Sequence, residues 1–172
     1  REAIRILERE GLVAVLPRRG AVVTSLSAAE LRELFEIRAG LFEMVVRKVV
    51  ATRPPELLAV MRAGVAQLEA LTEPPDGGDA YAETTHRLIQ ISARFAGNER
   101  LRRMIAALSL QSLRYSKLGL ATVERRRRSV KMWKQASRAL ERGDAEQMVL
   151  LARQRTEESA EEAARLLGTA PA

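Results

Sequence analysis

The chain has 172 residues, 47% of them hydrophobic and 30% charged, which is the composition of a folded domain rather than of a disordered chain. It contains no cysteine, which excludes disulfides, thiolate zinc sites and cysteine nucleophiles. We find no apolar run of the ~20 residues that cross a membrane and no signal-peptide pattern, so we expect a cytoplasmic protein without a membrane partner. The net charge of +7 is consistent with a polyanionic partner such as DNA.

Residues 1–24 predict a short amphipathic helix that ends at Gly11, followed by a β-hairpin. The apolar runs 12–16 and 21–24 flank a turn that carries Arg18, Arg19 and Gly20. This order is typical of the recognition helix and wing of a winged helix-turn-helix. An ordinary helix and hairpin packed on a helical domain is the alternative. We therefore assign 1–24 to the C-terminal part of a DNA-binding domain and 25–172 to a second domain.

The second domain is predicted to be entirely helical. Ser27 and Glu30 form a capping-box pattern at the start of a helix over residues 28–51, which Pro54 and Pro55 terminate. Further helices are predicted at 55–71, at 79–96 with Asp79 as the cap, and at 99–118, 124–142 and 144–167. The predicted fold is all-α: an antiparallel bundle of six to seven helices behind a remnant of a winged helix-turn-helix. The run of arginines 125–128 is interpreted as a solvated face.

Several segments resemble the GntR family of transcriptional regulators, in the FadR-type group whose ligand-binding domain is called FCD. The DNA-binding segment matches at Arg1-Glu-Ala-Ile4, Glu10-Gly-Leu-Val13 and Arg19-Gly-Ala-Val-Val23. The bundle matches at Leu26 to Arg38, at His86-Arg-Leu-Ile89 with Ala96-Gly-Asn98, and at Ala139 to Asp144. The resemblance implies a homodimer in which a small effector, often an organic acid, controls binding to operator DNA.

For DNA binding, the resemblance places Arg1 and Arg5 on the recognition helix, and Arg18, Arg19 and Gly20 at the tip of the wing. Arginines at a wing tip contact phosphate or the narrow minor groove. The DNA-binding domain of the family begins with two further helices, which the printed sequence does not include. We expect operator binding from a chain that has them. The alternative is a stand-alone module for effector binding and dimerisation.

Many members of this family hold a divalent metal with one aspartate and three histidines. Here only His86 matches, while Ala82, Trp133 and Arg155 occupy the other three positions, and the chain has a single histidine. We therefore predict that the metal site is lost and that the protein has no cofactor.

The replacements suggest a metal-free pocket in which Arg155, with His86 and Trp133, holds a small carboxylate-type effector. Arg38 and Arg114 are further candidates for this pocket. In the alternative, Trp133 plugs the pocket, and Arg155 turns to solvent or pairs with a glutamate such as Glu83.

The function predicted from the sequence is that of a ligand-responsive DNA-binding regulator, acting as a repressor, that senses an anionic metabolite. An enzyme is not expected. The chain has no cysteine and no glycine-rich phosphate loop, and its one histidine cannot supply the two Glu-x-x-His motifs of a di-iron site.

Overall fold

A computed structural model describes residues 2–9 and 11–169 of the chain. In this part of the chain it contains seven helices and two strands. They are, in order, α1 (Glu2–Arg9), β1 (Val13–Leu16), β2 (Gly20–Val23), α2 (Ala28–Thr52), α3 (Pro55–Ala70), α4 (Gly78–Phe95), α5 (Glu99–Gly119), α6 (Val123–Arg142) and α7 (Ala145–Thr169). The predicted all-α bundle behind a winged remnant is confirmed.

The hairpin pairs β1 with β2 antiparallel, in a register that places Val13 opposite Val23 and Leu16 opposite Gly20. Its tip needs left-handed backbone: φ is 64° at Arg18 and 73° at Gly20. Glycine adopts this conformation without a steric cost, whereas arginine does so less readily. The hairpin therefore presents both tip arginines on an exposed, sharply turned loop.

The helix ends follow mostly from local capping. The Ser27 hydroxyl accepts from the amide of Glu30 at 3.2 Å, and the Glu30 carboxylate accepts from the amide of Ser27 at 2.8 Å, which completes the predicted capping box. Helix α7 is capped by Asp144, as predicted. The predicted cap at Asp79 is wrong, because α4 begins one residue earlier and Asp79 lies in its first turn.

The main core lies between the six helices α2 to α7, with α2 packed along α7 and α3 against both α4 and α6. A smaller cluster joins the start of α2 to α5 and the end of α7, around Leu31, Phe35 and Tyr115. No helix in the described part of the chain is both long and apolar enough to span a membrane.

The arginine run 125–128 is not the solvated face that we predicted. Arg127 and Arg128 are exposed, but Arg125 and Arg126 are buried. The Arg126 guanidinium donates to four backbone carbonyls in two loops, those of Thr72, Pro74, Leu120 and Ala121. Buried carbonyls need donors, and one planar guanidinium supplies several at once. Arg126 thus joins the α3–α4 loop to the α5–α6 loop.

Candidate functional site

A cavity of about 30 Å³ lies inside the bundle, between helices α2, α4, α5, α6 and α7. A space of this size holds about two water molecules. Its walls are hydroxyl-rich and basic, and they include no carboxylate. The lining residues are Phe35, Arg38, Thr85, His86, Ile89, Ser116, Leu120, Ser129, Arg155, Thr156 and Ser159. Two of these side chains, Arg38 and Arg155, carry a positive charge.

Arg155 reaches this cavity from α7 and is only 7% exposed. Its guanidinium carbon lies 3.6 Å from the centre of the Trp133 ring, so the cation stacks on the indole face. Burial, with a smaller contribution from the neighbouring charge of Arg38, lowers the pKa of Arg155 to about 10. Among the described residues, no carboxylate opposes this charge, and Nη1 has no hydrogen-bond partner.

Arg38 enters the cavity from α2 and is partly buried. Its Nη1 donates to the Ser116 hydroxyl at 3.4 Å, and its guanidinium carbon lies 4.9 Å from the centre of the Phe35 ring. Burial lowers the pKa of Arg38 to about 10. Both contacts are to neutral groups, so the charge of Arg38 is solvated by weak partners and is not neutralised by an acid.

His86 lies between Arg38 and Ser116 in the cavity wall. Its Nε2 is 2.9 Å from the Ser116 Oγ and 3.5 Å from Arg38 Nη2. Burial, with a further contribution from the Arg38 charge, lowers the pKa of His86 to about 3, so the ring is neutral near pH 7. A guanidinium can only donate, so its approach to Nε2 places the ring proton on Nδ1. That nitrogen is buried without a partner among the described residues.

The cavity walls therefore carry hydrogen-bond donors for which the described part of the protein supplies no acceptor. Arg155 Nη1, His86 Nδ1 and the Ser159 hydroxyl are all buried and have no hydrogen-bond partner in the described structure. A buried donor without an acceptor costs about 1–3 kcal/mol, and more when it is charged. Two unneutralised guanidinium groups and an N–H around one small space are chemically matched to an anion.

The residues present do not fit the divalent metal that the family resemblance implies. Two of the four corresponding positions bring an indole and a guanidinium together, at Trp133 and Arg155. The third is the buried methyl group of Ala82, which leaves the imidazole of His86 as the one metal-binding group in this set. No group of three histidine or carboxylate side chains suited to a metal ion occurs among the described residues. Two guanidinium charges at the cavity would also repel a cation.

Four of the five predicted effector residues meet at this place. Arg38, His86 and Arg155 line the cavity, and Trp133 lies beneath the guanidinium of Arg155. Trp133 is 1% exposed and does not itself line the cavity, which it touches only through the stacked guanidinium of Arg155.

Two parts of the plug alternative are not seen in the structure. Arg155 does not turn to solvent, and Glu83 pairs with Lys117 at 2.7 Å rather than with Arg155. Glu83 is exposed, on the outer face of α4, because it lies three residues before His86 and points in a different direction.

The prediction for Arg114 is wrong in position, since this side chain does not line the cavity. It donates to the backbone carbonyl of Thr24, at the end of the hairpin, and to the Tyr115 hydroxyl at 2.6 Å. The Tyr115 hydroxyl in turn accepts from the amide of Leu26 at 2.8 Å. Ser116, the next residue, lies in the cavity wall. Three consecutive residues of α5 thus join the cavity to the segment that leads out of the wing.

The residues predicted to contact DNA lie near the N-terminus of the sequence, before the helices that form the cavity. Arg5 is exposed on α1, and Arg18, Arg19 and Gly20 form the exposed hairpin tip. Arg1 lies outside the described residues. Their roles in binding DNA remain predictions.

Sequence reasoning missed the hydroxyl-bearing side chains of the cavity: Thr85, Ser116, Ser129, Thr156 and Ser159. One signal for them exists on α5. Ser109, Ser112 and Ser116 recur at spacings of three and four residues and are all buried. Small polar residues on the face of a helix that should be apolar indicate a polar space inside a bundle.

Comparison with known proteins agrees with this architecture. The model of the FCD domain family matches residues 33–166, which is most of the chain. The "Uncharacterized HTH-type transcriptional regulator YdhC" of Bacillus subtilis (strain 168) is 25% identical over 105 residues, which are 61% of this chain and 47% of that protein. The chain thus spans about half the length of this curated relative.

Solved structures with a similar fold come from several bacteria. E. coli McbR/YncC superposes with a TM-score of 0.83 at 18% identity, over 96% of this chain and 79% of that one. Lar, described as controlling expression of the Listeria monocytogenes agr system, superposes with a TM-score of 0.76 at 22% identity, over 96% of this chain and 78% of that one. A GntR family member from Pseudomonas syringae pv. tomato str. DC3000 superposes with a TM-score of 0.68 at 22% identity, over 98% of this chain and 69% of that one. The chain belongs to the FCD-domain group of the GntR family of transcriptional regulators.

Proposed function

We propose that this protein is a ligand-responsive, DNA-binding regulator, acting as a repressor, whose helical domain senses a small anionic metabolite without a metal ion. The observation that carries the proposal is the pair of guanidinium groups, Arg38 and Arg155, at one buried cavity that no carboxylate lines. An arginine pairs with a carboxylate through parallel N–H donors, so two of them form a strong anion site. The protein is not proposed to be an enzyme, since its relatives are transcriptional regulators.

Arg5 on α1 and Arg18 and Arg19 at the wing tip support a role in DNA binding, because exposed arginines on a helix and at a hairpin tip suit phosphate and minor-groove contacts. The α5 segment from Arg114 to Ser116 is the proposed connection between the two functions. An anion that draws Arg38 or Ser116 toward itself displaces α5, and the Tyr115 hydroxyl carries the displacement to Leu26.

A homodimer is part of the proposal, as in other GntR regulators. Large apolar side chains on α2 and α5 are about half exposed: Ile37 (54%), Met44 (47%), Met104 (52%) and Leu110 (52%). Exposed apolar patches of this kind mark association surfaces. Analytical ultracentrifugation of the wild type and of Met104→Glu tests this, with dissociation of the variant expected. A monomeric wild type contradicts the dimer.

Thermal unfolding with a panel of carboxylates, in the presence of EDTA, tests the anion site. A ligand that binds only the folded state raises the melting temperature by mass action, equivalent to about 2.7 kcal/mol at 100 times its Kd. We expect Arg155→Met to lose the response. Arg87→Met, which removes an exposed arginine one residue after His86, should keep it. A response that requires added zinc or nickel contradicts the metal-free site.

A gel-shift assay of the longest product of the gene against its own upstream DNA tests the regulatory half of the proposal. We expect retarded DNA whose amount changes when the carboxylate identified above is added. Carboxylate binding without any DNA binding favours the second candidate, a stand-alone effector-binding and dimerisation module.

A further inference from the structure

A second, smaller cavity of about 10 Å³ adjoins the first. The two share three wall residues, Arg38, Ile89 and Thr156. The remaining walls of the smaller cavity are apolar and come from Phe42 on α2 and from Ile105 and Leu108 on α5. The interior of the bundle thus has a polar, cationic chamber and, sharing Arg38 with it as a wall residue, a mostly apolar chamber. We call them the head chamber and the tail chamber.

We infer that the ligand is a monocarboxylate with a short apolar tail, of about three or four carbon atoms in all. Its carboxylate would lie in the head chamber between Arg38 and Arg155, and its terminal carbons in the tail chamber against Phe42, Ile105 and Leu108. This inference rests on the anion site of the proposed function and adds the chemical class of the ligand.

Size supports this assignment. The head chamber holds about two water-sized groups, which matches the two oxygens of one carboxylate, and the tail chamber holds about one, which matches a methyl or methylene group. Apart from Arg38 and Thr156, which the two chambers share, the walls of the tail chamber are apolar. A second carboxylate or a chain of hydroxyl groups would therefore meet Phe42, Ile105 and Leu108, which offer no donor or acceptor. Burying polar groups without partners is unfavourable, so dicarboxylates and sugar acids of the same length should be rejected.

Isothermal titration calorimetry of the whole chain with a homologous series tests the inference. The probes are formate, acetate, propionate, butyrate and hexanoate, with succinate and gluconate as polar comparators, all in EDTA. We expect affinity to rise about fourfold for each methylene up to butyrate and to fall at hexanoate. Butyrate should bind roughly ten times more tightly than succinate, which has the same number of carbons.

Leu108→Phe supplies a second test, because the larger ring of a half-buried residue fills the tail chamber. It should abolish the gain in affinity from acetate to butyrate. Leu113→Phe is the matched control, since Leu113 is also half-buried on α5 but lines neither cavity. Its chain-length dependence should equal that of the wild type, and the series on the wild type stands by itself if a variant does not fold.

The outcomes separate the inference from the function on which it rests. Equal binding of acetate and butyrate, or tighter binding of succinate or gluconate, overturns the apolar tail and leaves the anion site intact. Binding of none of these anions, formate and acetate included, overturns the anion site as well. Unchanged chain-length dependence in Leu108→Phe shows that the tail lies elsewhere and overturns the assignment to the tail chamber.

Discussion

Replacing Arg155 with methionine should leave the ligand-free protein as stable as the wild type or more stable, although the residue is buried and stacked on Trp133. The reason is that its charge is buried without an acid to neutralise it. Burial lowers the pKa of Arg155 from 12.5 to about 10. This shift corresponds to about 3 kcal/mol of unfavourable free energy in the folded state.

Methionine removes that cost and gives up the stacked cation, which contributes about 2 kcal/mol when it is desolvated. Its thioether keeps a contact of up to about 1 kcal/mol with the indole. The sum predicts that the free energy of unfolding of Arg155→Met is higher than that of the wild type by about 1–2 kcal/mol. Urea denaturation followed by far-UV circular dichroism measures it.

Arg126→Met is the matched control for this experiment, because Arg126 is an equally buried arginine with a structural role. Its loss leaves the carbonyls of Thr72, Pro74, Leu120 and Ala121 without their donor. At about 1–3 kcal/mol for each buried group, the free energy of unfolding should fall by more than about 3 kcal/mol. If Arg155→Met is destabilised as much as Arg126→Met, Arg155 is a structural arginine and the reasoning is refuted.

Three further predictions concern the cavity wall and its connection to the wing. Tyr115→Phe removes the hydroxyl that accepts the hydrogen bond from the Leu26 amide. The NMR signal of that amide should shift on butyrate binding in the wild type but not in the variant. Equal shifts in both proteins would contradict the proposed connection between the cavity and the wing. Burial lowers the pKa of His86 to about 3, so below pH 6.5 the unfolded state takes up a proton that the folded state does not. The free energy of unfolding should therefore decrease by about 2 kcal/mol as the pH is lowered from 7 to 5. This decrease should be absent in His86→Gln, and an unchanged pH dependence in the variant would count against a neutral, buried ring. EDTA and added nickel should leave the melting temperature unchanged, and a metal-dependent rise would mean that a cation site had been overlooked.

Local signals made the fold predictable from the sequence. Ser27, Asp144 and the Pro54–Pro55 pair define helix ends through contacts within a few residues, and the spacing of apolar residues predicts which faces are buried. The family resemblance, rather than spacing, identified His86, Trp133 and Arg155 as neighbours. Helices distant in sequence bring these three residues together.

The remaining features depend on contacts that no local pattern encodes. Arg126 is buried because four loop carbonyls converge on it, and the positions of those carbonyls follow from the packing of the whole bundle. Arg114 belongs to the connection with the wing because α5 passes beside residue Thr24, which is distant in sequence. The tail chamber arises where Phe42 and Leu108 fail to fill the space between α2 and α5, and small voids of this kind depend on packing at the scale of single methyl groups.

The central claim is that Arg38 and Arg155 together hold a carboxylate, and the fluorescence of Trp133 tests it most directly. Trp133 is the single tryptophan of the chain, and its ring lies 3.6 Å from the guanidinium carbon of Arg155. An anion that pairs with this guanidinium must alter the indole emission. Titration with butyrate in EDTA should give a saturable change in the wild type and none in Arg38→Met. The absence of a saturable change in the wild type, or an equal change in Arg38→Met, would contradict the site described here.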